Sequence, residues 1–228
     1  MKSALARWYY RPELPVGKTV KVGVWEDGVF AGVVVFGCGA SDSLGTRYGI
    51  TSLEVCEMVR IALRPDHKCQ ISRVLRIAIS FLRKHCPGLR LVLTYADPAA
   101  GHTGAVYQAA NWIYVGTTTP DWRYIDRRGI EHHSRNVKVS GWSATLGGGR
   151  MRCPKPSECT RYRVPGKHKY ALPLDDAMRA LVTRDAKPNP KKAVAAAPLE
   201  ELRGASIDSD ALGHPPRDDG ATPIAPLH

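Results

Sequence analysis

With 228 residues, 43% of them hydrophobic, the chain can bury one substantial core and not two full domains. Lys and Arg number 33 against 21 Asp and Glu, a formal net charge of +12 that attracts polyanions at long range and makes nucleic acid the natural partner. No run of about 18 apolar residues could span a bilayer, and the six cysteines, scattered from Cys38 to Cys159, are too sparse for the disulfide framework of a small secreted domain.

In chain order, Met1 to Pro15 mixes Lys2, Arg7 and Arg11 with Trp8, Tyr9 and Tyr10 and holds no apolar stretch of the secretory kind, so the expected location is the cytoplasm, with no membrane partner. Val20 to Val24 and Gly28 to Gly37 read as antiparallel strands around a Trp25 to Gly28 turn, because Asp-Gly favours the positive φ of tight hairpins. A polar loop through Ser41, Ser43 and Gly45 leads to a partly buried strand over Leu53 to Leu63, ended by Pro65. Ile71, Val74, Leu75, Ala78, Ile79 and Leu82 recur at helical spacing, with Arg73, Arg76, Arg83 and Lys84 on the other side. Pro87 and Gly88 stop that amphipathic helix, and Leu89 to Tyr95 follows as a central strand parallel to the previous one, since a helix intervenes. A helix over Thr103 to Asn111 and a strand over Ile113 to Thr118 come next, with further β segments at Trp122 to Ile125, Arg135 to Ser140 and His168 to Leu172. From Asp185 onward Lys, Pro, Ala, Asp and Gly dominate without aromatics, which gives one domain over 1–184 and a disordered tail over 185–228, with a short helical stretch allowed at Ala193 to Arg203. There is no internal repeat.

The segment Tyr95 to Gly116, YADPAAGHTGAVYQAANWIYVG, preceded by Arg60 and the helix start at Ile71, Ser72 and Arg73, resembles the bacteriophage Mom family of adenine-modification proteins. The resemblance covers roughly Gly28 to Thr118, while the C-terminal third carries none. It implies an α/β, acetyltransferase-like (GNAT) fold: a mixed, partly parallel central sheet with flanking helices. It also implies a transferase that replaces a hydrogen on the exocyclic amine of adenine in double-stranded DNA by a carbamoylmethyl group, shielding phage DNA from restriction in the host cytoplasm.

Tyr107 to Trp112 resembles the acetyltransferase pattern of a tyrosine, small residues and a glycine-aromatic pair, with Asn111 in the glycine position. Tyr107 is thereby the candidate general acid, because a phenol with its usual pKa near 10 is protonated at neutral pH; a core tyrosine with one satisfied hydroxyl is the plain alternative. Asp97 and His102 sit at and just after the C-terminal end of a parallel strand, where open α/β sheets place ligand-contacting groups. Either could take or steer the amine proton, His102 with an ordinary pKa near 6.5, although Asp97 before Pro98 can equally begin a turn. Gly101 and Gly104 allow close backbone approach, Arg60 and the helix start at Ser72 could hold a phosphate or carboxylate, and Tyr95, with Tyr48 and Trp112, could stack on a displaced base.

The cofactor stays unnamed. Arg64 to Arg73, RPDHKCQISR, lacks the glycines of a pyrophosphate cradle, which argues against acetyl-CoA, and the family product suits a glycine-derived or aminoacyl-type donor. Cys153 and Cys159, with His132, His133 and His168, do not match common zinc spacings, so no metal is assigned. The same region interleaves Arg150, Arg152, Lys155, Arg161, Arg163, Lys167 and Lys169 with Tyr162 and Tyr170, which suits DNA. The rivals are a noncatalytic DNA-binding phage protein on the same fold and a CoA-dependent N-acetyltransferase.

Overall fold

The computed structural model describes residue 8 and residues 17–39, 41, 43–145 and 148–190. Strand β1 (Thr19–Glu26) and β2 (Val29–Gly37) form the opening hairpin. Asp27 at φ 50 and Gly28 at φ 76 supply the two left-handed residues that a tight hairpin needs, so the turn falls one residue later than the Trp25 to Gly28 reading and Trp25 stays in the strand. Ala31 to Phe36 are all buried, without the alternation of a half-exposed strand, because both faces of β2 are covered.

Strand β3 (Val55–Leu63) pairs antiparallel with β2. Phe36 faces Met58 and Val35 faces Arg60, so Val59 is the extra residue of a β-bulge. Helix α1 (Ile71–His85) follows and buries Val74, Leu75, Ala78, Ile79 and Leu82 against Val34, Phe36, Met58 and Val92. Each Leu, Ile or Val so buried contributes about 1.5–3 kcal/mol, and Arg83 and Lys84 place positive charge at the negative end of the helix.

Strand β4 (Leu91–Ala96) is parallel to β3, and helix α2 (Ala105–Ala109) and strand β5 (Ile113–Thr117) come after it. Helix α2 is shorter than the Thr103 to Asn111 pattern suggests, because Gly104 (φ 79) and Asn111 (φ 60) are both left-handed and bracket it. The chain then leaves the main sheet. Strands β6 (Asp121–Asp126), β7 (Glu131–His133), β8 (Trp142–Ala144), β9 (Arg150–Arg152) and β10 (Cys159–Val164) make a three-stranded sheet, β10-β6-β7, and a β8-β9 hairpin. Arg135 to Ser140 is not a strand: a 3-10 turn spans Ser134–Asn136, and a turn closed by the Gly141 N–H on the Lys138 carbonyl at 2.9 Å follows. Strand β11 (His168–Pro173) returns to the main sheet, inserting between β4 and β5 to give the order β1-β2-β3-β4-β11-β5.

Helix α3 (Asp176–Arg184) closes the second face by burying Met178 and Val182 on Leu91, Leu93 and Ala171. The result is the mixed, partly parallel sheet with flanking helices that the resemblance implies. The first residues of the expected tail still touch the body: Asp185 pairs with Arg47 at 2.5 Å and the Lys187 N–H donates to the Tyr114 carbonyl at 2.9 Å. Residues 191–228, including the stretch 193–203, lie outside the described residues. Among the described residues no helix is long and apolar enough to cross a membrane.

The start of α3 is fixed by Asp175, whose carboxylate accepts from the Met178 N–H at 2.7 Å and pairs with Arg90 at 2.8 Å at the entry to β4. Asp175→Ala should therefore lower stability by about 1–2 kcal/mol in urea denaturation, with Asp175→Ser recovering the cap but not the ion pair.

Candidate active site

Strands β3 and β4 stay together for only three residue pairs, Val55 to Glu57 against Leu91 to Leu93, and then part. Where the ladder ends, the buried Thr94 hydroxyl donates to the Met58 carbonyl at 3.0 Å, replacing a missing backbone bond by a side-chain one. Beyond that point lies a cavity of about 520 Å³, the size of a small-ligand site. Its lining includes Ile61, Leu63 and Ile71, on the face that α1 covers, together with Arg60 and Tyr95, which strand alternation places on the opposite face. The gap in the sheet is thus lined from both faces.

His102 and Tyr107 line this cavity, as do Arg60, Tyr95, Gly101 and Gly104. Tyr107 is held by ring contacts with Trp112 at 5.6 Å and Tyr170 at 5.3 Å. Gly104 lies so close to the buried Tyr170 that a Cβ would overlap its ring, and the Tyr170 hydroxyl ties the loop by donating to the Thr103 carbonyl at 3.1 Å while accepting from Gln108 at 2.9 Å. Asp97 sits one residue beyond the lining residue Ala96. The residue is 6% exposed; its carboxylate accepts from the Ala99 N–H at 3.1 Å and pairs with the Lys167 ammonium at 3.4 Å, and its carbonyl accepts from the His102 N–H at 3.0 Å. Asp97 therefore shapes the loop that presents His102. Ser72 and Asn111 lie elsewhere, on a second cavity of about 330 Å³ beside α1, with Arg76, Arg83 and Trp112.

Sequence reading missed Glu57, the last paired residue of β3 before the gap. Burial pushes its carboxyl upward despite Lys167, Arg60 and Arg135, and burial with the Glu57 charge pushes Tyr95 up to about 12. Nothing in the local sequence signals this cluster, because Arg135 and Lys167 come from the segment between β5 and β11, far along the chain from Glu57.

The loop before α1 is clasped by Glu26. Its carboxylate accepts from the Lys68 N–H at 3.1 Å and the Cys69 N–H at 2.9 Å, bonds that with the Cys69 side chain hold its pKa at about 2. Glu26, His67 and Cys69 bring three ligand atoms within 4.8 Å of one another, the one such group among the described residues, and Cys153 and Cys159 gather no comparable set. A carboxylate, imidazole and thiol suit a borderline transition metal, though here the carboxylate already serves two N–H donors.

A mixed α/β domain with a ligand-sized cleft where two parallel strands part defines the class of this protein. The chain belongs to the Mom protein family, whose family model matches residues 1–191 and so runs well past the Gly28 to Thr118 region that carries the resemblance in the sequence. Solved structures similar to it include an acetyltransferase from Thermus thermophilus, 13% identical, covering 69% of this chain and 65% of that one with a TM-score of 0.36. Another is a Bacillus subtilis acetyltransferase in complex with CoA, 14% identical, covering 68% of this chain and 76% of that one with a TM-score of 0.37. The chain thus spans just under two thirds of the Thermus protein. No curated protein matches it.

Two outcomes are expected. Thr94→Val, which keeps the shape but leaves the Met58 carbonyl unpaired, should lose about 1–3 kcal/mol in denaturant unfolding, with Thr94→Ser close to wild type. A carboxyl held below its ordinary 4.5 stabilises the fold fully above that value, and the contribution fades as pH falls toward 2. Thermal melts across acid pH should accordingly show a shallower decline for Glu26→Gln than for wild type.

Proposed function

We propose that the protein is a transferase that adds a carbamoylmethyl-type group to the exocyclic amine of adenine in double-stranded phage DNA, protecting that DNA from restriction. The observation that carries this reading is that His102 and Tyr107 open onto one cavity in a gap lined from both faces of the sheet. Such a gap lets a group donor and an acceptor approach from opposite faces and meet in it, so that positioning replaces a random encounter. The adenine amine forms the new bond to the donor carbon, its proton passes to His102, and Tyr107 returns a proton to the departing group. Asp97 acts as a positioning residue through its grip on the loop from Pro98 to His102. An adenine must leave the base stack to reach the gap, and Tyr95 stands there as a stacking surface.

The residues do not fit the pyrophosphate of CoA. The Lys68 and Cys69 N–H groups ahead of α1, which a phosphate cradle would use, are engaged by Glu26, itself an anion at neutral pH. A smaller glycine-derived or aminoacyl-type donor suits the cavity, with Arg60 or Arg64 for its carboxylate or phosphate end.

Mass spectrometry of nucleosides from plasmid DNA of expressing cells tests this. A heavier deoxyadenosine is expected from wild type, reduced about 10²–10⁴-fold in His102→Asn and Tyr107→Phe. Unaltered nucleosides with retained DNA affinity would instead identify a noncatalytic DNA-binding protein, and thermal stabilisation by CoA would identify an acetyltransferase.

A further inference from the structure

The insertion between β5 and β11, residues 118–167, holds eleven Lys and Arg against four Asp and Glu, and so carries seven of the chain's twelve net positive charges. All four acids are engaged within it. Asp121 lies 3.2 Å from His133, Asp126 pairs with His132 and Arg128, Glu131 takes the Tyr162 hydroxyl and faces Arg123, and Glu158 pairs with Arg152. Exposed Arg127, Lys138, Lys155 and Arg163 have no carboxylate within ion-pair distance among the described residues, so the surplus charge points outward.

Aromatic groups stand in the same region. Pairing of Trp122 with Arg163 and of Tyr124 with Arg161 places these four side chains on one face of the β10-β6-β7 sheet. Trp122 is 38% exposed, with the Arg161 guanidinium 4.6 Å from its ring centre, and on the neighbouring hairpin Trp142 is 45% exposed, with Arg150 at 5.6 Å. Beside them a broad cavity of about 740 Å³ is lined by Arg127, Arg128 and Arg152 together with Asp126 and Glu158, which leaves Arg127 as its guanidinium without a carboxylate partner among the described residues.

Resting on the reading of DNA as the substrate, we propose that this exposed face of the insertion is where the DNA docks, with Trp122 stacking on the base left unpaired when the adenine is displaced and Arg161, Arg163 and Arg127 holding phosphates. Charge complementarity selects this occupant. Guanidinium groups without a carboxylate partner beside a flat indole match a strand that alternates phosphates with π-faces. The docked strand would lie near the gap, since Lys167 at the end of the insertion pairs with Asp97.

Fluorescence anisotropy of a short labelled duplex with the full chain, over a salt series, tests the proposal. Trp122→Ala should weaken binding about tenfold with the salt slope unchanged, and Trp122→Phe should restore most of it. Arg161→Gln with Arg163→Gln should weaken it at least tenfold and flatten the slope by about 1–2. Lys84→Gln at the end of α1 should bind as wild type. Wild-type affinity in the Trp122 and arginine variants, with melting temperatures unchanged, would overturn the docking surface; modified nucleosides from those same variants would leave the proposed activity standing. Tighter binding of RNA of equal length would also overturn it, and a wild-type protein that neither binds DNA nor alters nucleosides would remove both.

Discussion

The parting of β3 from β4 is the constraint on which the site depends. Two parallel strands in mid-sheet normally satisfy each other's backbone along their full length. Here the pairing stops after Glu57 and Leu93. The bulge at Val59 redirects β3, and the buried Thr94 hydroxyl reaches across to the Met58 carbonyl at the point of separation. Burial on both faces keeps this opening local: α1 is packed on one side and α3 on the other, so the sheet separates at one end while its base stays closed.

The chemistry follows from what the opening brings together. Tyr107 comes from the helix that Gly104 begins, and Gly104 is needed because Tyr170 occupies the space a side chain would fill. His102 comes from the loop that Asp97 ties down through the Ala99 and His102 N–H groups. The ion pair of the buried Asp97 with the partly exposed Lys167 links that loop to the insertion, coupling the proposed reaction centre to the proposed DNA surface.

Much of the framework was legible because it rests on local rules. Asp27 and Gly28 announce a hairpin, the 3.6-residue recurrence from Ile71 to Leu82 announces α1, and a helix between two strands makes them parallel. Other parts were hidden. Three-residue strands such as β7, β8 and β9 are too short to show a period, and β10 alternates Arg and Tyr, which reads as a basic loop and not as a sheet edge. Helix α3 has the Asp175 cap and buried Met178 and Val182 four residues apart, a signal overshadowed by the neighbouring Lys and Pro-rich stretch. His102 and Tyr107, five positions apart in one motif, both line the cavity, whereas Glu57 and Lys167 come near each other only through the sheet. Ser72, read as a helix start able to hold an anion, and Asn111, read from the tyrosine-to-tryptophan pattern, both line the second cavity beside α1.

The central claim is that a displaced adenine enters the gap beside His102 and Tyr107. A crystal structure of the protein with a duplex bearing an extrahelical adenine tests it most directly. The account predicts that base between β3 and β4 with its amine about 2.6–3.2 Å from the His102 ring. An adenine seated in the cavity beside Ser72 and Asn111, or left on the outer face of the insertion, would contradict it.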